Sequence, residues 1–120
     1  MNMKLFSRVN RERCEAPDGF NHALHSWSLS DWFTATMGEL GEAANVAKKI
    51  NRERDGIRGN SESVAELRAK LSRELADTFI YLDLLAQSAD IDLSRAVVEV
   101  FNAKSAALGC SIRLNLGDVL

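Results

Sequence analysis

An all-α fold is predicted by three observations. The chain has one proline and almost no alternating runs of β-branched residues. Apolar residues recur at spacings of three and four over two long stretches, 28–54 and 63–89. Clusters rich in Gly, Asp, Asn and Ser separate the periodic stretches.

The elements follow in order. A first helix runs from Lys4 to Cys14 and ends at the turn sequence Ala16-Pro17-Asp18-Gly19. Residues 20–27 form an irregular segment or one short turn. The second helix opens near Ser28, where Ser28-Leu29-Ser30-Asp31 reads as a capping box, and continues to about Arg54. Leu29, Trp32, Phe33, Thr36, Leu40, Ala43, Ala47 and Ile50 recur along it at helical spacing. Gly38 and Gly41 each cost about 1 kcal/mol in a helix interior, so glycine on both sides of Glu39 predicts close approach by another helix or a ligand. Asp55 to Asn60 is a flexible connector. The third helix starts at Ser61 or Ser63 and reaches Ala89, with Val64, Leu67, Leu71, Leu75, Leu82 and Leu85 facing inward. Asp90-Ile91-Asp92 turns the chain, Asp92 capping the fourth helix, which runs from Leu93 to Leu108 and stops at Gly109. The tail from Cys110 to Leu120 has no classifiable pattern.

These elements compose a four-helix bundle-like protomer, a single domain over residues 1–120. Two long helices and two short ones make a thin bundle, which buries its faces better against a second copy. Oligomerisation through the long helices, as a homodimer or homotetramer, is the expectation.

Composition excludes several classes. With 46% hydrophobic and 27% charged residues the chain is not of the disordered type. A net charge of −2 gives no broad basic surface for a nucleic-acid polymer. No apolar run approaches the ~18 residues of a membrane span, and the first residues lack the apolar core of a signal peptide. Cys14 and Cys110 have no metal-type spacing and read as free thiols, which makes the cytoplasm the expected compartment.

The chemistry resides in two i,i+3 pairs of acids: Glu39 and Glu42 on the second helix, Glu74 and Asp77 on the third. Trp32, Val46 and Ile50 fall within about 20° of Glu39, and Leu67, Tyr81 and Leu85 within about 20° of Glu74. The acids therefore lie on the stripes that should face the core. Buried carboxylates cost several kcal/mol each, roughly, unless cations neutralise them. Hard divalent ions, Mg²⁺ or Mn²⁺, fit such ligands and recruit a substrate's phosphates. Solvated acidic faces are the plainer reading of either pair alone.

Other side chains can complete the site. Lys104 is centred on the apolar stripe of Leu93, Val97, Val100 and Leu108; it either snorkels or points its ammonium at a phosphate. Trp27, Trp32 and Tyr81 offer stacking surfaces for a base, or serve as core and interface packing. Lys49 lies about 20° beyond Glu42 and can reach a phosphate, or forms a solvated helix end with Lys48 and Arg52. His22 and His25 read as loop histidines.

Glu39-x-x-Glu42, a linker, and Glu74-x-x-Asp77, followed by Asn102-Ala103-Lys104, resemble the MazG-like nucleotide pyrophosphohydrolases of the all-α NTP pyrophosphatase superfamily. The stretch Glu74-Leu75-Ala76-Asp77-Thr78-Phe79-Ile80-Tyr81-Leu82 is similar to that group's second metal helix. The segment Trp27 to Trp32 and the run Gly41 to Lys49 resemble its small phage and bacterial members. The likeness covers roughly residues 25 to 108. It implies a Mg²⁺-dependent hydrolase converting a nucleoside triphosphate to the monophosphate and pyrophosphate. The four acids would be the ligands, Glu39 or Glu42 the base, Lys104 a phosphate contact, and Tyr81 and a tryptophan the base-holding aromatics. Asn102 would position the phosphate or sugar. Where many relatives carry an arginine one turn after the lysine, this chain has Leu108, with Arg113 as the available substitute.

The competing reading is a helical oligomerisation or regulatory module that holds a cation or nucleotide without turnover. A di-iron protein of the ferritin type is disfavoured because no Glu-x-x-His motif is present.

Overall fold

The computed structural model describes residues 1–119. It is helical throughout, with five α-helices and no strand among the described residues: α1 Met3–Glu15, α2 Leu29–Arg54, α3 Val64–Ser88, α4 Leu93–Ala107 and the short α5 Leu116–Val119. A single 3-10 turn, Leu24–Ser26, follows α1. Each of the four expected helices is present within a residue or two of its expected ends. The tail contributes α5, which its sequence pattern did not indicate.

Local chemistry sets the ends. Asn2 caps α1 through Leu5 N–H, and Asp92 caps α4 through Arg95 N–H. Ser63 accepts from Glu66 N–H at the start of α3. Helices α2, α3 and α4 close with the same paired backbone bonds, in which Ile57, Ile91 and Cys110 donate to Arg52, Ala86 and Ser105. The left-handed residues these closures need are Gly56, Asp90 and Gly109, at φ 68°, 56° and 68°. Gly19 is required for another reason: a Cβ there would lie 2.0 Å from the Arg13 carbonyl oxygen.

The chain forms two compact units. One, residues 30–82, is the hairpin of α2 and the greater part of α3. Its two helices run antiparallel: Trp32 meets Tyr81, Glu39 meets Asp77, and Lys49 and Lys70 share Glu62. Trp32, Thr36, Ala43 and Val46 of α2 and Leu67 of α3 are its buried residues. The other unit joins residues 1–29 to 83–120. Cys14, Leu24, Leu84, Leu85 and Ala86 form its apolar core, with buried Asn10, Asp83, Ser94 and Ser105 among them. Cys14 and Cys110 are free thiols, and burial pushes the Cys14 thiol above its usual pKa.

Three expectations about faces need correction. Val64, Leu75 and Leu82 of α3 are exposed, Leu75 by 51%. On α2, Leu29, Phe33 and Leu40 of the periodic set are 50%, 52% and 43% exposed. A two-helix hairpin covers one stripe of each helix, and the apolar arcs of these helices are wider than one stripe. Gly38 and Gly41 have open space where a Cβ would stand, so nothing within the chain approaches them closely. On α4 the buried residues are the polar Ser94 and Ser105, while Val97, Val100, Phe101 and Leu108 face outward.

Candidate metal centre

The antiparallel register of α2 and α3 brings the two acid pairs together. Glu39, Glu74 and Asp77 each offer a carboxylate oxygen within 4.8 Å of the others. Glu42 lies near enough for its charge to act on both Glu39 and Glu74. The acids are less buried than their stripes predict: Glu39 and Glu74 are half-buried, Glu42 and Asp77 exposed. They lie along the edge of the helix–helix seam, with Ala43 and Val46 beneath in the core.

The electrostatics are those of an uncompensated cluster. Partial burial, with the charges of Glu42, Asp77 and Glu74, holds the Glu39 carboxyl above the usual carboxylate range. Glu74 is pushed up by desolvation and by Glu42 and Asp77, against a smaller opposing pull from Arg73. Among the described residues, no lysine or arginine forms an ion pair with any of the four; the ion pairs lie elsewhere. Ligand oxygens around one octahedral cation at about 2.1 Å lie about 3.0 to 4.2 Å apart, so the three carboxylates, within 4.8 Å of one another, would close on a hard cation by small side-chain rotations. The donor set is all-oxygen and anionic, which suits Mg²⁺ or Mn²⁺.

The aromatic candidates separate by place. Trp32 is buried, 2% exposed, with its ring centroid 6.4 Å from that of half-buried Tyr81 at an interplanar angle of 52°. Tyr81 lies one helical turn beyond Asp77. Trp27 belongs to the other unit, where its ring meets His22 edge-on at 4.4 Å.

The cationic candidates separate too. Lys49 is half-buried, its Nζ 3.5 Å from Glu62, which Lys70 also pairs with. The Lys70 hydrogen bond, with both lysine charges, holds Glu62 below the usual carboxylate range. Asn60 fastens the same connector by donating to the Lys49 carbonyl at 2.7 Å. Lys104 is exposed on the outward apolar face of α4. Asn102, nearly opposite it around the helix, uses both ends of its carboxamide on the backbone of Leu114, at 2.9 Å each. Arg113 bonds the Cys110 and Ile112 carbonyls of its own segment.

Asp83 is the residue the sequence reading passed over. It is 1% exposed, and its carboxylate accepts from Ser7 Oγ, from Asn10 Nδ2 at 2.9 Å and from Gln87 Nε2 at 2.9 Å. Gln87 also donates to the Ser7 carbonyl. This knot fastens α1 to the end of α3, beside a cleft of about 180 Å³ that Lys4 and Asp92 also line. The available signal was an acid inside the apolar run Leu82-Asp83-Leu84-Leu85 with a carboxamide four residues on.

Compared with protein-family models, with curated proteins and with solved structures, the chain matches none.

Proposed function

We propose that the chain is a divalent-cation-dependent nucleotide pyrophosphohydrolase, cleaving a nucleoside triphosphate to the monophosphate and pyrophosphate. One observation carries the reading: Glu39, Glu74 and Asp77 converge, with Glu42 beside them, and among the described residues no cationic side chain forms an ion pair with them. Glu39, Glu42, Glu74 and Asp77 hold Mg²⁺ or Mn²⁺, which supplies charge neutralisation to the phosphate oxygens. Glu39 or Glu42 orients the attacking water and takes its proton. Tyr81 offers the base a stacking surface, with Trp32 packed behind it. Lys104 would contact phosphate, and Lys49, paired with Glu62 here, would be a second phosphate contact. Trp27, whose ring meets His22, is the alternative aromatic for the base. Asn102 has no part in the site, because Leu114 occupies both ends of its carboxamide.

The protomer acts as a homodimer or homotetramer. Phe33, Met37 and Leu40 on α2 and Leu75 and Leu82 on α3 are large apolar side chains left exposed on a hairpin that has only one covered seam. The same faces favour a second reading, a helical assembly module whose acids hold a cation without turnover.

The deciding experiment is pyrophosphate release from a panel of ribo- and deoxyribonucleoside triphosphates with Mg²⁺ and with Mn²⁺, Glu39→Gln serving as the inactive control. Metal-dependent release lost in the control supports the enzyme. Cation binding with no release from any nucleotide supports the module.

A further inference from the structure

Asn102 bonds the tail beyond α4 to that helix, on which α5 also packs. Asn102 Nδ2 donates to the Leu114 carbonyl at 2.9 Å, and Leu114 N–H donates back to Asn102 Oδ1 at 2.9 Å. The carboxamide thus binds Leu114 as a neighbouring strand would, using both backbone groups of one residue. Upstream, Cys110 N–H closes on the Ser105 carbonyl and ends α4. Within the tail the remaining polar contacts are internal: the Arg113 guanidinium folds onto the Cys110 and Ile112 carbonyls, and Asn115 N–H bonds Asp118 at 3.0 Å. Residues 111–113 are exposed and Leu114 is half-buried.

We propose that Asn102 is the latch of a C-terminal strap, and that the latched strap withholds Arg113. Closed, the strap keeps the backbone beside Arg113 bound to Asn102 and the guanidinium turned onto its own carbonyls. Open, it presents Arg113 as a free cation on an extended segment. The latch consists of two neutral hydrogen bonds, so its loss raises the open population by about 10- to 100-fold.

Trypsin reads this state directly, because it needs both an extended arginine side chain and free backbone on either side of the scissile bond. The test is a digestion time course on the full chain, with products identified by mass. Arg58, exposed in the connector between α2 and α3, is the internal reference. The Arg113–Leu114 bond of the wild-type chain is expected to be cut at least tenfold more slowly than Arg58–Gly59. Asn102→Ala is expected to accelerate cleavage at Arg113 about tenfold or more, with the Arg58 rate unchanged, since proteolysis follows the open population when closing is fast. Cleavage at Arg113 as fast as at Arg58 in the wild-type chain, or an unchanged Arg113 rate in Asn102→Ala, overturns the latch. Should Asn102→Ala unfold, which a faster Arg58 cut would reveal, amide exchange in the wild-type chain decides. Leu114 N–H at least tenfold slower than an unstructured amide supports the latch, and exchange at the unstructured rate overturns it.

Discussion

Glu39 and Glu74, from the middles of two different helices, hold carboxylate oxygens within 4.8 Å of each other, and both are held above the usual carboxylate range. Like charges placed this close act as a unit. Glu39→Gln, Glu42→Gln, Glu74→Gln and Asp77→Asn are each expected to remove most nucleotide hydrolysis while circular dichroism stays that of the wild type. Wild-type turnover at saturating Mg²⁺ in any one of them removes that residue from the site.

The same repulsion sets a pH dependence in chelator-treated protein. A carboxyl whose folded pKa is raised binds its proton more tightly folded than unfolded, so its contribution to stability falls as pH rises above the unfolded value. At pH 7 the cluster therefore works against the metal-free fold. Glu39→Gln is expected to melt higher than wild type at pH 7, the gap closing as the pH drops below about 4, where both states are protonated. Millimolar Mg²⁺ or Mn²⁺ is expected to reverse the order, stabilising wild type by about 2.7 kcal/mol at 100 times Kd and the variant by less. Melting curves at two pH values, with and without metal, check both signs.

Lys104 distinguishes phosphate contact from packing. Lys104→Met keeps the bulk of the side chain on the outward face of α4. A phosphate contact predicts a fall in kcat/KM of about 10- to 1,000-fold, with stability unchanged in a urea melt. Near-normal kinetics would leave Lys104 as a surface lysine resting on apolar neighbours.

The exposed apolar residues of the hairpin predict self-association. Phe33→Asp and Met37→Glu place charge where burial against a second copy is proposed, and light scattering should then report a monomer from an assembled wild type. A wild type that is monomeric at tens of micromolar sinks the proposal outright.

Asp83 is predicted to support stability without touching the acid site. Asp83→Ala takes away the acceptor shared by Ser7, Asn10 and Gln87 and should cost about 2–4 kcal/mol in a urea melt. A loss below about 1 kcal/mol would show that water replaces the carboxylate at no cost.

The helices were legible because their ends carry local signals: Asp92 and Ser63 as caps, Gly109 as a left-handed stop, Gly56 in the connector. The acid cluster was legible because i,i+3 pairs on two long helices meet when the helices pack antiparallel. Orientation of wide apolar arcs was not, since Leu67 and Leu75, about 80° apart around α3, belong to one broad apolar arc and only packing chose the first. Nor was the joining of residues distant in sequence: the Asp83 knot and the Asn102–Leu114 pairing are long-range or irregular contacts that leave no periodic trace.

The knot at Asp83 also imposes an order of events during synthesis. Its partner Ser7 lies 76 residues upstream, and the unit they share is discontinuous in the chain. At about 5–20 residues per second, α1 emerges roughly 4–15 s before the residue that fastens it. Throughout that interval its buried side, Asn10 and Cys14, has no carboxylate or α3 core to dock on. The first helix of the chain therefore docks late, after α3 has emerged, although it is made first.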